Sequence, residues 1–389
     1  MTINDLFSQE IFNSPLKDKS FAGKELSKIC ANSDFIFYGA GQTGQLLYQQ
    51  LDKINIHPKA FADDTISKQG EYIGSKKIYS LQEAQNFFGD ETLIIVTIFH
   101  PSVSFLEVKT RLNLAGFKNV ASFFDVFILY PSLFLPFYHF ASPSVLLEQK
   151  DNYNKAFELF EEQRSKETFV SNLNFRLSLD HTSLYAADKE DYFPVDIFPS
   201  LRGNSSCIYI DCGAYDGDTV RKFLLKQFGK TRIFAFEPDE YNFKKLTEFV
   251  VGLNNEISKD IYLHNVGISD THGFFKFSSS NSMGSSLSET GNTTIQTISL
   301  DDMLYENIKH SQDPVFIKMD IEGEEMKALQ GCRNLIKEIT PHLAISIYHN
   351  PDDLWRIPLY INSINSEYNF FLRQHGNDSM DLVLYAIAQ

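Results

Sequence analysis

The sequence is poor in cysteine and in positive charge, and each shortage excludes a class of protein. Its 389 residues include four cysteines, Cys30, Cys207, Cys212 and Cys332, and no two of them form a CxxC pair. Scattered thiols predict neither a zinc site nor a disulfide framework and are typical of a reducing, cytoplasmic compartment. Lysine and arginine number 35 against 50 acidic residues, a formal charge of −15, which argues against nucleic acid or an anionic membrane as a partner.

The sequence also lacks a secretory signal and an unbroken apolar run long enough for a membrane span. Its opening stretch, MTINDLFSQEIF, contains no basic region and no long apolar core. The segment 126–147 carries no charged Asp, Glu, Lys or Arg, but Pro131, Pro136 and Pro143 interrupt it. We predict a cytoplasmic protein without a membrane span, in which 126–147 packs between domains or in a dimer interface.

Strand and helix patterns alternate in two series along the chain, which is typical of parallel α/β sheets. The first series ends near residue 125, and a connector at 126–200 contains an amphipathic helical pattern over 154–179. The second series has seven strands, and the last two are close enough to form an antiparallel hairpin. We therefore predict an α/β protein with two Rossmann-like domains, 1–125 and 201–389. The predicted layout of the second domain, seven strands with an antiparallel final strand, resembles the sheet of class I methyltransferases more than a six-stranded dehydrogenase sheet.

The best-defined candidate site is the sequence DCGAYDGD (211–218), which ends the first strand of the second domain. Ligands of open α/β sheets bind at the carboxyl ends of the strands, and Gly213 and Gly217 would let the backbone approach a ligand. Three aspartates here disfavour a pyrophosphate and suit a cationic ligand, such as the amino and sulfonium groups of S-adenosylmethionine. The next strand ends in FEPD, where Glu237 can accept hydrogen bonds from two ribose hydroxyls.

These motifs resemble those of the FkbM family of S-adenosylmethionine-dependent methyltransferases, and the resemblance covers 190–389. The matching pieces are YFP (192–194), YIDCGAYDGDTV (209–220), FEPD (236–239), NVGISD (265–270), SLDD (299–302), IKMDIEGEEMKAL (317–329) and SIYHNPDDLWRIPLYI (346–361). The resemblance implies methyl transfer to a hydroxyl oxygen, commonly of a sugar, polysaccharide or secondary metabolite. It also implies cofactor contacts: Asp211, Gly213, Tyr215 and Asp216 at the methionine end, Glu237 at the ribose, and Val266, Gly267 and Ile268 near the adenine.

The candidate catalytic groups follow the fourth strand, in KMDIEGEE (318–325). Asp320 either removes the proton of the acceptor hydroxyl or helps to bind a divalent cation. Glu322 and Glu324 can complete an oxygen-rich site, whereas the alternative role of Glu324 and Glu325 is to favour the N-terminus of the next helix. His349, at the end of the fifth strand, is a second candidate base because its pKa normally lies near neutrality. Its alternative role is a hydrogen bond in the turn before Pro351. No tight ligand cluster is visible, so the sequence allows a divalent cation without requiring one.

The first domain contains a second glycine-rich corner, YGAGQTG (38–44). Its glycines, Gly39, Gly41 and Gly44, have the GxGxxG spacing between a strand and a helix. Asp63 or Asp64 follows about 20 residues later, where a ribose hydroxyl would be held. Such domains resemble the nucleotide-binding half of sugar-modifying enzymes. A nucleotide-sugar, a dinucleotide and no ligand at all are the three alternatives.

The function predicted from these motifs is O-methylation of a sugar, polysaccharide or secondary-metabolite hydroxyl, for example in polysaccharide biosynthesis. One alternative is an NAD-linked oxidoreductase, although no Tyr-Lys or His-Asp arrangement accompanies the GxGxxG sequence. Another is a non-catalytic scaffold that binds a nucleotide-sugar, which the intact motifs of the second domain argue against. The expected partners are a small-molecule or glycan acceptor and a possible second copy of the chain.

Overall fold

The computed structural model describes residues 32, 34–188, 190, 192–198, 206–226, 231–278, 286–287 and 293–388. The chain divides into two compact units whose segments alternate along the sequence. The first unit comprises the residues up to Lys150, Glu167–Ala187 and Gly376–Met380. The second comprises Asp151–Lys166, Asp188–His375 and Asp381–Gln389. The predicted connector 126–200 therefore contributes residues to both units.

The first unit is built on a parallel sheet whose buried strands are runs of apolar residues, such as FIFY and LIIV. The pattern predicted four strands, and the structure has six within the described residues, in the order β3-β4-β2-β1-β5-β6. The two additional strands form a short antiparallel hairpin that contains only six residues in its strands and has no wholly apolar face. The strands are β1 Phe35–Tyr38, β2 Phe61–Ala62, β3 Tyr72–Ile73, β4 Lys76–Tyr79, β5 Leu93–Val96 and β6 Asn119–Ser122, and the helices between them are α1 Gln42–Asp52, α2 Leu81–Phe88 and α3 Phe105–Leu114.

The proline-interrupted segment forms three short helices that pack into the core of the first unit. Ser122 and Asp125 form a capping box that starts the first helix, so the chain turns directly from β6 into helix. Phenylalanines 123, 124, 127, 134 and 140 are buried with the apolar side chains of β1. Among the described residues, no helix is both long enough and apolar enough to cross a membrane. The helices are α4 Phe123–Leu129, α5 Pro131–Phe134 and α6 Pro143–Glu148.

The stretch 154–179 does not form the single helix that its apolar spacing predicts. The structure has two helices, α7 Lys150–Phe157 and α8 Gln163–Ser178, separated by residues 158–162. The prediction was wrong because Phe160 leaves the helical path and forms a bridge to Phe370 in the second unit's sheet. One division between the two units falls within α8, after Lys166.

The second unit contains the seven-stranded sheet, in the order β16-β17-β15-β14-β7-β8-β9. All strands are parallel except β17, which is antiparallel to both of its neighbours, as predicted. The strand that comes first in sequence, β7, lies between β8 and β14, so the order reverses there and a crevice opens at the carboxyl ends. The strands are β7 Cys207–Cys212, β8 Thr231–Phe236, β9 Ile261–His264, β14 Val315–Met319, β15 His342–Ser346, β16 Asn369–Gln374 and β17 Leu382–Ile387.

Helices follow the strands of this sheet, and a small four-stranded sheet leaves it after β9. The Gly-, Ser- and Thr-rich stretch 273–304 predicts a β-hairpin with a lid or substrate loop, and a hairpin is present because β11 pairs with β13 in antiparallel register. Residues 279–285 and 288–292 of this stretch lie outside the described residues. The strands of the small sheet are β10 Gly267–Ile268, β11 Gly273–Ser278, β12 Ser286–Leu287 and β13 Thr293–Ile298. The helices of the second unit are α9 Asp218–Lys226, α10 Glu240–Val251, α11 Asn255–Ser258, α12 Glu306–Ile308, α13 Glu325–Gln330 and α14 Asp353–Ile364. Two π-helical turns lie at Asp301–Tyr305 and Leu335–Ile339.

Candidate active site

The carboxyl ends of β7, β8 and β14 lie side by side, which brings Asp211, Glu237 and Asp320 to one crevice. The backbone N–H of Asp320 donates to the carbonyl of Cys212 at 3.1 Å, and that of Gly213 donates to the carbonyl of Phe236 at 3.0 Å. These bonds fix the ends of β14 and β8 on either side of the loop that begins at Asp211. Residues 211, 237 and 320 are therefore held by the sheet itself.

Asp211 is fully buried beneath the loop, where it forms an ion pair with Lys318. Its Oδ1 lies 3.2 Å from Nζ of Lys318, while its Oδ2 accepts hydrogen bonds from the hydroxyls of Tyr209 and Thr219. Burial disfavours the charge of Lys318, but the neighbouring carboxylates outweigh this and raise its pKa. A lysine on a buried strand is expected either to snorkel or to pair with an acid, and Lys318 pairs with Asp211. Asp211 is thus placed to support the loop from below.

Gly213 is required by the backbone of the protein. Its φ is +82°, and a Cβ at this position would stand 1.9 Å from the carbonyl oxygen of Asp320. The close approach is therefore made by the end of β14, where the sequence interpretation expected a ligand. Lys318 also donates to the carbonyl of Gly213 at 2.7 Å, so the corner is fixed on two sides. Only glycine combines this conformation with this contact.

Glu237 closes the same loop from the end of β8. Its Oε2 accepts from the backbone N–H of Tyr215, and its Oε1 from that of Asp239, both at 2.9 Å. Each oxygen keeps a second lone pair that can accept from a hydroxyl. Burial raises the pKa of Glu237 to about 7. A carboxylate held this way suits a ligand with two neighbouring hydroxyl donors, such as a ribose.

The other predicted cofactor residues lie at different depths. Tyr215 is in the left-handed region with φ +48°, and Asp216 is partly exposed and paired with Arg221 at 3.1 Å. Val266 is partly buried at the end of β9. Gly267 and Ile268 are buried in β10, which pairs with β13 of the small sheet. The structure therefore places Tyr215, Asp216 and Val266 closer to the surface than the other two.

Asp320 is surrounded by hydroxyl groups that the sequence analysis gave no role. Its Oδ2 accepts from the hydroxyl of Tyr192 at 2.6 Å, and its Oδ1 lies 3.4 Å from that of Tyr348. Burial opposes its ionisation, but the charges of His349 and Lys318 and the Tyr192 hydroxyl hold the pKa of Asp320 below its usual range. Asp320 is therefore a carboxylate at neutral pH, oriented by two tyrosines.

His349 lies among three carboxylates. Its Nδ1 is 2.9 Å from Oε1 of Glu325, and its Nε2 is 3.5 Å from Oδ1 of Asp320 and 3.7 Å from Oε2 of Glu322. Burial alone would lower the pKa of His349, but these carboxylates raise it to about 10. Without another cation it carries a proton at neutral pH and cannot accept a second one. Asp320 is the better placed of the two candidate bases.

Glu322 and Glu325 lie on either side of this histidine. Glu322 has φ +58° in the tight turn after β14, and burial raises its pKa to about 8. Glu325 was assigned only to the start of a helix, yet it is fully buried and accepts from the backbone N–H of Ile321. The inward orientation of Glu325 depends on the turn at Glu322, so the sequence DIEGEE alone does not predict it.

In the GxGxxG corner of the first unit, Gly39 and Gly44 are closely packed, whereas the space beside Gly41 is open. A Cβ at Gly44 would stand 2.2 Å from the carbonyl oxygen of Gly39, and one at Gly39 would meet Ile98 at 2.9 Å. Among the residues that the structure describes, no atom outside the adjacent backbone lies within 4 Å of a Cβ built at Gly41. Asp63 accepts from the backbone N–H groups of Ala40 and Thr65, at 2.7 and 2.8 Å.

The second acid of this corner has different partners. Asp64 is partly exposed and accepts from the hydroxyl of Tyr38 at 2.6 Å, and it also pairs with Arg111. Asp63 therefore supports the loop, and Asp64 and Gly41 are the groups left for a ligand. A nucleotide or nucleotide-sugar at this corner stays a prediction.

Comparison with known proteins identifies a family for the part of the chain that contains this crevice. Residues 211–378 match the family described as Methyltransferase FkbM domain. The chain contains an FkbM methyltransferase domain. This domain includes every candidate residue from Asp211 to His349, and its match begins at the loop built around Gly213.

A curated protein and a solved structure are similar to this chain. Hexuronic acid methyltransferase AglP of Haloferax volcanii is 26% identical over 161 residues, which are 38% of this chain and 64% of AglP. The chain thus spans less than two thirds of that relative. The crystal structure of methyltransferase FkbM from Methylobacillus flagellatus KT is 21% identical, covers 99% of both chains and has a TM-score of 0.74. This similarity shows that the fold extends over both units and is not confined to the FkbM domain.

Proposed function

We propose that the protein transfers a methyl group from S-adenosylmethionine to a hydroxyl oxygen of a sugar-containing acceptor. The FkbM domain makes it a class I, S-adenosylmethionine-dependent methyltransferase. The observation that carries the proposal is the single crevice in which Glu237 and Asp320 flank the loop at Gly213. The sugar acceptor is supported by one relative, which is a hexuronic acid methyltransferase.

The crevice fits the donor by the chemistry of its side chains. Glu237 would hold the ribose hydroxyls, because both of its oxygens are already oriented by backbone N–H groups. Asp216 would face the amino group, and Val266 would lie beside the adenine. S-adenosylmethionine supplies the methyl group and leaves as S-adenosylhomocysteine.

Asp320 would activate the acceptor. Its carboxylate accepts the hydroxyl proton as the oxygen forms a bond to the methyl carbon and the bond from that carbon to sulfur breaks. The Tyr192 hydroxyl fixes Oδ2 of Asp320 and leaves Oδ1 for the acceptor or for a divalent cation. A carboxylate with a low pKa is a weak base, so alignment of the acceptor oxygen must supply much of the rate increase.

A labelled donor tests the reaction class and the acceptor class together. The full-length protein is incubated with S-adenosylmethionine carrying a labelled methyl group and with hexuronic acid glycans, sugar nucleotides or a simple phenol. We expect label on a sugar oxygen, identified by mass spectrometry and NMR, and at least about tenfold less label at subsaturating donor when Glu237 is replaced by Gln. Transfer to phenol alone would contradict the sugar acceptor. Binding of S-adenosylhomocysteine without transfer to any hydroxyl acceptor would contradict O-methylation.

A further inference from the structure

We propose that Asp320, Glu325 and His349 form a binding site for a divalent transition-metal ion. Each of the three residues offers one ligand atom, and these atoms lie within 4.8 Å of one another. The residues come from different elements: Asp320 follows β14, Glu325 begins α13 and His349 follows β15. The ion's use in methyl transfer rests on the proposed function, whereas its binding does not.

The spacing of the atoms is suited to coordination. Two ligand atoms that are each about 2.1 Å from one ion lie roughly 3.0–3.5 Å apart. Nε2 of His349 is 3.5 Å from Oδ1 of Asp320 and 3.7 Å from Oε2 of Glu322. These separations exceed a good hydrogen bond and need only a small adjustment to admit an ion between them. Glu322 is thus a neighbouring fourth donor.

The buried carboxylate of Glu325 also indicates that a ligand binds here. It is fully buried, and its Oε2 has no hydrogen-bond partner among the described residues. A buried carboxylate oxygen without a donor is costly, so a group that satisfies it is expected. Oε1 of Glu325 lies 2.9 Å from Nδ1 of His349 and accepts a hydrogen bond from the backbone N–H of Ile321.

The charges also favour a cation. Asp320, Glu322 and Glu325 surround one imidazole, and Asp353 is close enough to interact electrostatically with Glu325. A divalent ion bound here would be held by carboxylate oxygens and by one nitrogen of His349.

Supporting hydrogen bonds of the kind that orient metal ligands are already present. Tyr192 donates to Oδ2 of Asp320, which leaves Oδ1 directed at His349. Groups of this kind hold ligands in position in metal sites, and their loss weakens binding. An imidazole with carboxylates favours Mn²⁺, Fe²⁺ or Zn²⁺ over Ca²⁺ and Mg²⁺, which take mainly oxygen ligands.

Within the proposed reaction the ion would bind the acceptor oxygen beside Asp320. A bound cation lowers the pKa of a hydroxyl, which offsets the weak basicity of this carboxylate. It would also select acceptors with a second oxygen near the first, such as a vicinal diol or a uronic acid carboxylate. The ion thus links the acidic cluster to the class of acceptor.

Manganese binding to the chelator-treated, full-length protein tests the site. We expect one Mn²⁺ per chain by calorimetry and by electron paramagnetic resonance. Asp320→Asn, Glu325→Gln and His349→Gln should each raise the Kd at least about tenfold. Two controls should stay within about twofold of the wild-type Kd: Glu324→Gln, whose carboxylate pairs with Lys327, and His310→Gln, which is exposed in the turn before β14.

Two further measurements keep the test decisive. Co²⁺ bound by wild-type protein should give a visible absorption band of nitrogen and oxygen coordination, which needs no variant to fold. Saturable S-adenosylhomocysteine binding without any Mn²⁺ or Co²⁺ binding would overturn the metal site and leave the methyltransferase proposal standing. Metal binding that all three variants retain would also overturn it. Metal binding lost in the variants, in a protein that binds no S-adenosylhomocysteine, would support the site and contradict the proposed function.

Discussion

Replacing Asp320 with Asn is expected to lower kcat at least about 100-fold while the affinity for S-adenosylhomocysteine changes less than about threefold. The amide cannot take the acceptor proton, and it removes the charge that faces His349. The amide oxygen of Asn can take the place of Oδ2 and accept the hydrogen bond from the Tyr192 hydroxyl, so the shape of the crevice is preserved. Initial rates with the labelled donor measure kcat, and calorimetry measures binding.

The control for this variant is Glu324→Gln, which removes the same charge from a partly exposed carboxylate paired with Lys327. Its kcat should stay within about twofold of wild type. His349→Gln distinguishes the two candidate bases. If Asp320→Asn keeps more than a tenth of wild-type kcat while His349→Gln abolishes turnover, His349 is the base and the assignment of Asp320 is wrong.

Replacing Lys318 with Met is expected to destabilise the second unit by about 3–5 kcal/mol, because the charge of Asp211 would be left buried without its partner. Both side chains are at most 2% exposed, and Nζ of Lys318 also donates to the carbonyl of Gly213. Urea unfolding followed by tryptophan fluorescence measures this free energy. The only tryptophan, Trp355, is in α14 of the second unit and reports on that unit alone.

A double replacement separates loss of the charge pair from loss of packing. Lys318→Met with Asp211→Asn should recover part of the lost stability, because the remaining buried charge is gone. Lys327→Met, which removes an exposed lysine paired with Glu324, should change the free energy of unfolding by less than about 0.5 kcal/mol. A Lys318→Met variant within about 1 kcal/mol of wild type would show that the buried pair is not what supports the loop.

The fold was predictable where the sequence pattern is long and apolar. The seven strands of the second unit are runs such as CIYIDC and VFIKM, which are buried on both faces and bounded by turn residues. The antiparallel pairing of β16 with β17 followed from the short connection that joins the last two strands. The hairpin β3–β4 was missed because its strands are short and lysine-rich.

The candidate site was predictable as a set of strand ends and unpredictable as a set of contacts. The positions of Asp211, Glu237 and Asp320 follow from parallel strands that end at one edge. Which way each carboxylate faces depends on side-chain partners: Asp211 meets Lys318 beneath the loop, and Glu237 meets two N–H groups. No local pattern contains this information, because the partners lie far away in sequence.

Tyr192 and Glu325 are two further side chains whose orientation could not be predicted from the sequence. Tyr192 belongs to the YFP motif, far from any predicted strand, and reaches Asp320 through the folded chain over a separation of 128 residues. Glu325 looked like an acid that favours the start of α13. Its inward orientation depends on the left-handed residues Glu322 and Gly323, which reverse the chain directly after β14.

We expect Glu237 and the loop at Gly213 to bind the nucleoside of S-adenosylmethionine. Calorimetry with S-adenosylhomocysteine between pH 6.0 and pH 8.5 measures this binding. The pKa of Glu237 is about 7, and ribose hydroxyls donate to its ionised form, so affinity should rise with pH by about tenfold over this range. Glu237→Gln should bind at least about tenfold more weakly and lose this dependence, whereas Glu240→Gln, at the exposed start of α10, should match wild type. Wild-type protein that binds no S-adenosylhomocysteine, or a Glu237→Gln variant with unchanged affinity and pH dependence, would contradict the account.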